Sequence, residues 1–217
     1  SLKKSITNKT AAIMVETIMG EGGIKMIPDW CLKELRKICN EKKILLILDE
    51  VQCGIGRSGN FFAFENSKIK PDIVPIAKGI GGGFPIGACL MTKRVASGMK
   101  PGSHGTTFGG NHLACAATLS VLEVLETQNL MQNAQHMEIY FREKAKEVPQ
   151  ILQLKGRGLM LGLAFDFPVA ELRKALLFKH KIFTGSSKNP NLIRILPPLT
   201  IKKENIDTFF NALKQEL

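Results

Sequence analysis

The stretch Asp72-Ile-Val-Pro-Ile-Ala-Lys78-Gly-Ile-Gly-Gly-Gly-Phe-Pro-Ile-Gly87 decides how this chain is read. Its first half holds a short aliphatic run, Ile73 to Ile76, of the kind that forms a strand buried in a sheet. Its second half is a glycine-rich turn, where backbone can approach a ligand closely. Lys78 stands at the junction. A long cation at the mouth of a buried strand is poorly placed for a plain salt bridge. It is well placed for an amine that must be partly desolvated and reactive. Alone, Lys78 is more simply a surface lysine after a strand; the flanking Gly79, Gly81, Gly82 and Gly83 weigh against that account.

Upstream lies a second aliphatic run that ends in polar residues, Ile44-Leu-Leu-Ile-Leu-Asp49-Glu50-Val51-Gln52. A lone buried carboxylate is costly, so Asp49 belongs at a strand end rather than in a core. There it is either a turn-forming acid or a partner for a cation at the carboxyl edge of the sheet, where α/β folds bind ligands. One strand end thus offers an acid and the next an amine. That pairing suits pyridoxal phosphate (PLP), with the lysine bonded to the cofactor as a Schiff base and the acid on the pyridine nitrogen.

The chain has 217 residues, enough for one large domain or two small ones. Its 44% hydrophobic and 23% charged content is ordinary for a globular protein and argues against disorder. The net charge of +11 could serve nucleic acid, but the lysines are scattered. Lys42-Lys43 and Lys202-Lys203 read as solvated positions, and no basic stretch is interleaved with aromatics. Neither nucleic acid nor membrane is expected as a partner. The five cysteines, Cys31, Cys39, Cys53, Cys89 and Cys115, form no C-x-x-C pair. A reducing compartment and no metal follow. With no signal pattern and no aliphatic run long enough to span a bilayer, a cytoplasmic location is expected.

The hydrophobic pattern predicts strands at Ala11 to Val15, Ile44 to Leu48, Ile73 to Ile76 and Ile86 to Met91, with a helix from Pro28 to Asn40. Such short apolar runs favour a parallel sheet covered on both faces. A helix from Asn111 to about Glu126 is apolar on most of its surface and is expected to be well buried. Another runs from Leu130 to Glu147. Beyond Pro149 the pattern predicts strands at Leu159 to Phe165, Ile182 to Thr184 and Leu192 to Leu196, and helices at Pro168 to Lys179 and Lys202 to Leu217. The domain change is placed near Thr127, giving units 1–127 and 128–217.

Further motifs have two readings each. Gly54-Ile-Gly56-Arg-Ser-Gly59 fits the G-x-G-x-x-G dinucleotide pattern, but five residues separate it from the strand, a poor helix opening follows, and Lys78 stands where an acid belongs. Ser103-His-Gly-Thr106-Thr107-Phe-Gly-Gly-Asn111 before a helix suits phosphate contact, or simply a capped loop. Arg194 lies among aliphatics in Leu192-Ile-Arg-Ile-Leu196 and needs an anion, either an internal acid or a substrate carboxylate. Glu16 and Glu21 are candidate partners for Arg194 or for a substrate amine.

Together, Asp49-Glu-Val-Gln52, Gly54 to Gly59, Pro71-Asp72, Lys78 to Gly87 and His104 to Asn111 closely resemble the class III (ornithine/acetylornithine-type) aminotransferases, which are fold-type-I PLP enzymes. The Thr-Thr-Phe loop, Glu21-Gly-Gly and Ile193-Arg-Ile-Leu-Pro-Pro198 most resemble the acetylornithine group. The resemblance implies an α/β fold comprising part of the large mixed or parallel-sheet domain plus a small C-terminal α/β domain. It implies that Lys78 carries the cofactor and shuttles the proton, that Asp49 binds the ring nitrogen, and that Gln52 lies near the 3-oxygen. Thr107 would contact the cofactor phosphate of a neighbouring subunit in a homodimer. Arg194 would bind the α-carboxylate of glutamate or 2-oxoglutarate, with Glu21 as a switch that pairs with it when the ω-amino donor reacts. The expected reaction is ping-pong amino transfer between N-acetylornithine and 2-oxoglutarate, with ornithine, succinylornithine and 4-aminobutyrate as alternative donors.

The chain departs from the family at Thr17, where proline usually follows Glu16, and at His112, where proline often follows Asn111. It is also much shorter than family members. The expectation is therefore a C-terminal portion, inactive alone or acting with a complementary chain.

Overall fold

The computed structural model describes residues 2–217. In chain order, α1 (Leu2–Ser5) leads into β1 (Ala12–Glu16), the short pair β2 (Ile18–Met19) and β3 (Lys25–Met26), α2 (Asp29–Lys42) and β4 (Leu45–Asp49). A 3-10 turn (Ala63–Ser67) precedes β5 (Ile73–Ile76), and a second one (Lys78–Gly81) separates it from β6 (Ala88–Met91). Then come α3 (Lys93–Ala96), α4 (His112–Thr127), α5 (Leu130–Lys146), β7 (Gln153–Arg157), β8 (Met160–Ala164), α6 (Ala170–Phe178), β9 (Leu192–Ile195) and α7 (Lys203–Glu216).

The first sheet has the order β1-β4-β5-β6. The β1–β4 and β4–β5 pairs are parallel, whereas β6 runs antiparallel to β5. Because the three parallel strands point the same way, their carboxyl ends share one edge. Glu16 is registered against Asp49 there, and Lys78 follows the end of β5. The face of Ile13, Leu46, Leu48, Val74 and Ile76 is buried in one core with Leu32, Leu35 and Ile38 of α2. Those helix residues recur every three residues, so one stripe of α2 meets the sheet. Asp72 braces the base of β5. Its carboxylate accepts from the Leu46 N–H (2.9 Å), Arg36 Nη1 (2.7 Å) and Arg94 Nη2 (2.8 Å).

The second sheet, β7-β8-β9, is antiparallel. It supplies Leu161, Leu163 and Ile193 to a separate core with α5, α6 and α7. Buried Ala134, Met137, Phe141 and Ala145 follow helical spacing along α5. The Phe141 ring sits 5.9 Å from Phe210 and 6.3 Å from Phe209. A smaller cluster of Ile18, Ile24, Cys53, Ala63, Met160 and Leu192 joins the two sheets.

Three expectations need correction, and one strand lacks a sequence signal. The first sheet is mixed, and its other face, which carries Met14 (58% exposed), is not fully covered among the described residues. Helix α4 is not well buried. Only Ala114 and Leu125 are, while Leu113 and Leu119 are 66% and 67% exposed, because α4 packs on one side only, against the Lys78–Gly81 turn and α5. Ile182 to Thr184 is not a strand; Phe183 points outward, and only Gly185 bridges to Arg194. The pattern carries no sign of strand β7: Gln153-Leu-Lys-Gly-Arg157 lacks an aliphatic run and is held by pairing with β8.

Candidate active site

Glu21, Gln52, Lys78 and Arg194 line one cavity of about 590 Å3. Each arrives on a different element. Lys78 follows β5 and opens the 3-10 turn with φ +50°, a left-handed backbone that costs a non-glycine residue about 1–2 kcal/mol. Its side chain is exposed at the cavity rim. Gly79 and Gly82 lie beside it on the wall, and Val121, Val124 and Leu125 of α4 form an aliphatic side.

Arg194 enters from β9. Its Nη1 donates to Glu21 Oε1 at 2.7 Å and to Gln52 Oε1 at 3.3 Å, and its Nε donates to the Ser186 carbonyl. The Arg194 side chain is 11% exposed and that of Glu21 64%. The anion that Arg194 requires is therefore an internal acid that solvent, or a competing carboxylate, can reach.

The loop that carries Glu21 is pinned on both sides. The Gly20 N–H donates to Glu16 Oε2 at 3.0 Å, and the Glu21 carbonyl accepts from the Lys188 N–H at 3.0 Å. Glu16 does not line the cavity; its contact is with this loop. At Gly20 a Cβ would stand 1.7 Å from Gln52 Oε1, so glycine leaves room for the amide that meets Arg194.

Asp49 is half-buried at the strand edge. Its Oδ1 accepts from the Val51 N–H at 2.9 Å, and it lies outside the cavity lining. Thr107 is exposed in the loop before α4, also outside the cavity. At the end of that loop Asn111 Oδ1 caps α4 by accepting from the Ala114 N–H at 2.9 Å. The chain thus brings together Lys78, Gln52, Glu21 and Arg194, and leaves Asp49, Thr107 and Glu16 apart from them.

Two charged residues near the site were not singled out from sequence. Glu50 is wholly buried and accepts from Thr17 Oγ1 (2.7 Å), Ala63 N–H (2.8 Å), Phe64 N–H (3.2 Å) and Cys53 Sγ (3.4 Å). Burial raises its pKa, and these donors oppose the rise. Arg57 lines the cavity and donates through Nη1 to the carbonyls of Leu159 (3.2 Å) and Pro197. Burial draws its pKa down to about 10, which leaves it charged at neutral pH. The sequence signal for it is an arginine inside the Gly54–Gly59 motif.

Aminotransferase class-III, as a family, matches residues 1–217. The chain belongs to the class III aminotransferases. It is 45% identical to the acetylornithine aminotransferase of Mesorhizobium japonicum, over 98% of this chain and 54% of that protein. The corresponding enzyme of Methanocaldococcus jannaschii is 43% identical, over 99% of this chain and 54% of its own length. Among solved structures, the ornithine aminotransferase of Toxoplasma gondii gives a TM-score of 0.87 at 32% identity, covering 94% of this chain and 50% of that one. The acetylornithine aminotransferase of Elizabethkingia anophelis gives 0.86 at 30% identity, covering 94% and 53%. The chain thus spans about half the length of these relatives. Class III aminotransferases are PLP-dependent enzymes, and the chain shares the α/β fold type I of its structural neighbours. Among the described residues no helix is long and apolar enough to cross a membrane.

Proposed function

We propose that the protein transfers the ω-amino group of N-acetylornithine to 2-oxoglutarate in the cytoplasm, by a ping-pong cycle on PLP. One observation carries this reading: the reach of Lys78 and the Arg194–Glu21 pair into one cavity. The high identity to acetylornithine aminotransferases supports the choice of donor.

The residues present suit PLP. A lysine amine stands at the rim for the cofactor's aldehyde, and Gly79 and Gly82 leave the wall without side chains; Asp49, outside the cavity lining but at the same sheet edge, would offer a carboxylate for the ring nitrogen. When bound, the cofactor supplies an electron sink for the bonding pair released at the amine-bearing carbon. Lys78 Nζ would take the proton from that carbon and return it to the acceptor. Asp49 would keep the ring nitrogen protonated, and Gln52 would lie near the 3-oxygen.

Arg194 would hold the α-carboxylate of glutamate or 2-oxoglutarate by paired hydrogen bonds. Glu21 would occupy Arg194 while the ω-amino donor reacts and yield it to the dicarboxylate. Glu16 would set the loop on which Glu21 rides. Thr107, on an exposed loop, would serve the phosphate site of a second subunit. Residues 1–127 would then belong to the large domain and 128–217 to the small one.

The test is transamination by the native protein across a panel of ω-amines with 2-oxoglutarate. N-acetylornithine should be the preferred donor, and Lys78→Ala should abolish turnover together with the visible absorbance of bound PLP. Preference for ornithine, succinylornithine or 4-aminobutyrate would reassign the substrate. Turnover unchanged in Lys78→Ala would overturn the mechanism.

A further inference from the structure

The geometry points to Arg57 as a positioning residue that sets Arg194 in the cavity. This inference rests on the proposed transamination only in taking Arg194 as the carboxylate-binding group. Arg57 is a charged side chain turned inward with two backbone carbonyls as its named partners, at Leu159 and Pro197. An inward cation held by carbonyls is a costly way to add stability, because desolvation is only partly repaid by neutral acceptors.

What the arrangement does is join two parts of the site. Arg57 lies five residues after Gln52, and Pro197 lies three residues after Arg194. The Arg57–Pro197 bond therefore ties the end of the Arg194 strand to the loop that follows Gln52. The joint is reinforced through the main chain: the Leu159 N–H donates to the Arg57 carbonyl at 2.9 Å. Gln135 Nε2 donates to the Gly59 carbonyl at 2.6 Å. At Gly158 a Cβ would stand 2.4 Å from the Ser58 carbonyl carbon, so backbone meets backbone there. Gly54 to Gly59 is thus the connector between the two sheets at the cavity. Arg57 is its only charged side chain, and it holds the segment just beyond the strand that presents Arg194.

The experiment compares the native protein with Arg57→Met, which keeps most of the side-chain volume, and with Arg57→Lys, which keeps the charge. For Arg57→Met, KM for 2-oxoglutarate should rise about tenfold, the effect of losing a charge-assisted hydrogen bond, while kcat changes far less. Arg57→Lys should recover part of the loss and provides the folded comparison if the methionine variant is unstable. The dissociation constant of glutarate, an unreactive dicarboxylate, should rise in parallel when measured by calorimetry. In an Arg194→Ala background, Arg57→Met should add nothing further.

Unchanged KM and glutarate affinity in both variants would overturn the inference. So would a full additional loss in the Arg194→Ala background, which would make Arg57 an independent ligand contact. A native protein that binds glutarate without transaminating defeats the functional reading and leaves Arg57 to be judged by affinity alone. A native protein that does neither defeats both.

Discussion

Glu21→Gln tests the Arg194 pair directly. In the proposed cycle a dicarboxylate displaces Glu21 Oε1 from its 2.7 Å contact with Arg194. The Glu21 side chain is 64% exposed, so solvent screens the pair, and about 0.5–1 kcal/mol is the reasonable value for such an interaction. Removing the charge should leave Arg194 in place, because Gln52 Oε1 and the Ser186 carbonyl still hold it. The released competition should then tighten glutarate binding and lower KM for 2-oxoglutarate by roughly 2- to 5-fold. The half-reaction with the ω-amino donor should lose selectivity, since an unoccupied Arg194 attracts α-carboxylates in that half of the cycle too. Calorimetric affinity for glutarate and half-reaction rates for each substrate, measured separately, give the readout. Weaker glutarate binding, or no change in either quantity, would refute the idea that Glu21 and the substrate carboxylate exchange on one guanidinium.

Three further outcomes follow from the packing. Gly158→Ala places a Cβ 2.4 Å from the backbone of Ser58 at φ +58°, with no flexible neighbour to give way, so a loss of about 3 kcal/mol and ~6–12 °C in Tm is expected; an unchanged melting curve would contradict that contact. Burial pushes the Asp72 carboxyl up, but the Leu46 N–H, Arg36 and Arg94 outweigh it and hold its pKa below the ordinary range. Its contribution is therefore complete above the unfolded pKa and is lost as pH falls through the folded one. Asp72→Asn should cost about 2–3 kcal/mol at neutral pH and progressively less in acid, as followed by denaturant midpoints. Thr17→Val removes a hydroxyl donor from the buried Glu50 and should cost about 1–3 kcal/mol. Burial raises the Glu50 pKa, so the penalty should grow as pH rises through the folded value, and a penalty that shrank with rising pH would refute a bond to the charged carboxylate.

Much of the architecture could be read from pattern alone. The aliphatic runs at Ile13, Leu46 and Val74 became β1, β4 and β5, and the residues just beyond them reached one sheet edge because the strands are parallel. Lys78 and Arg194 stood out because each is a cation where an aliphatic pattern demands an explanation. What the pattern does not carry is set by contacts distant in sequence. Arg57 finds its partners 102 and 140 residues away, and both are main-chain carbonyls that no side-chain motif advertises. Strand β7 exists through its ladder with β8 rather than through its own composition. The width of the apolar surface on α4 was legible, but composition cannot say how much of that surface a neighbour covers.

The left-handed backbone at Lys78 sets folding and chemistry apart. At φ +50° the position suits glycine better than any residue with a side chain, and glycine occupies four of the next five positions. Lys78→Gly should therefore fold with equal or greater stability, by up to about 1 kcal/mol, while losing its amine. Lys43, Lys68 and Lys181 adopt the same left-handed backbone, so it is the place of Lys78 in the cavity wall, and not its conformation, that argues for the amine.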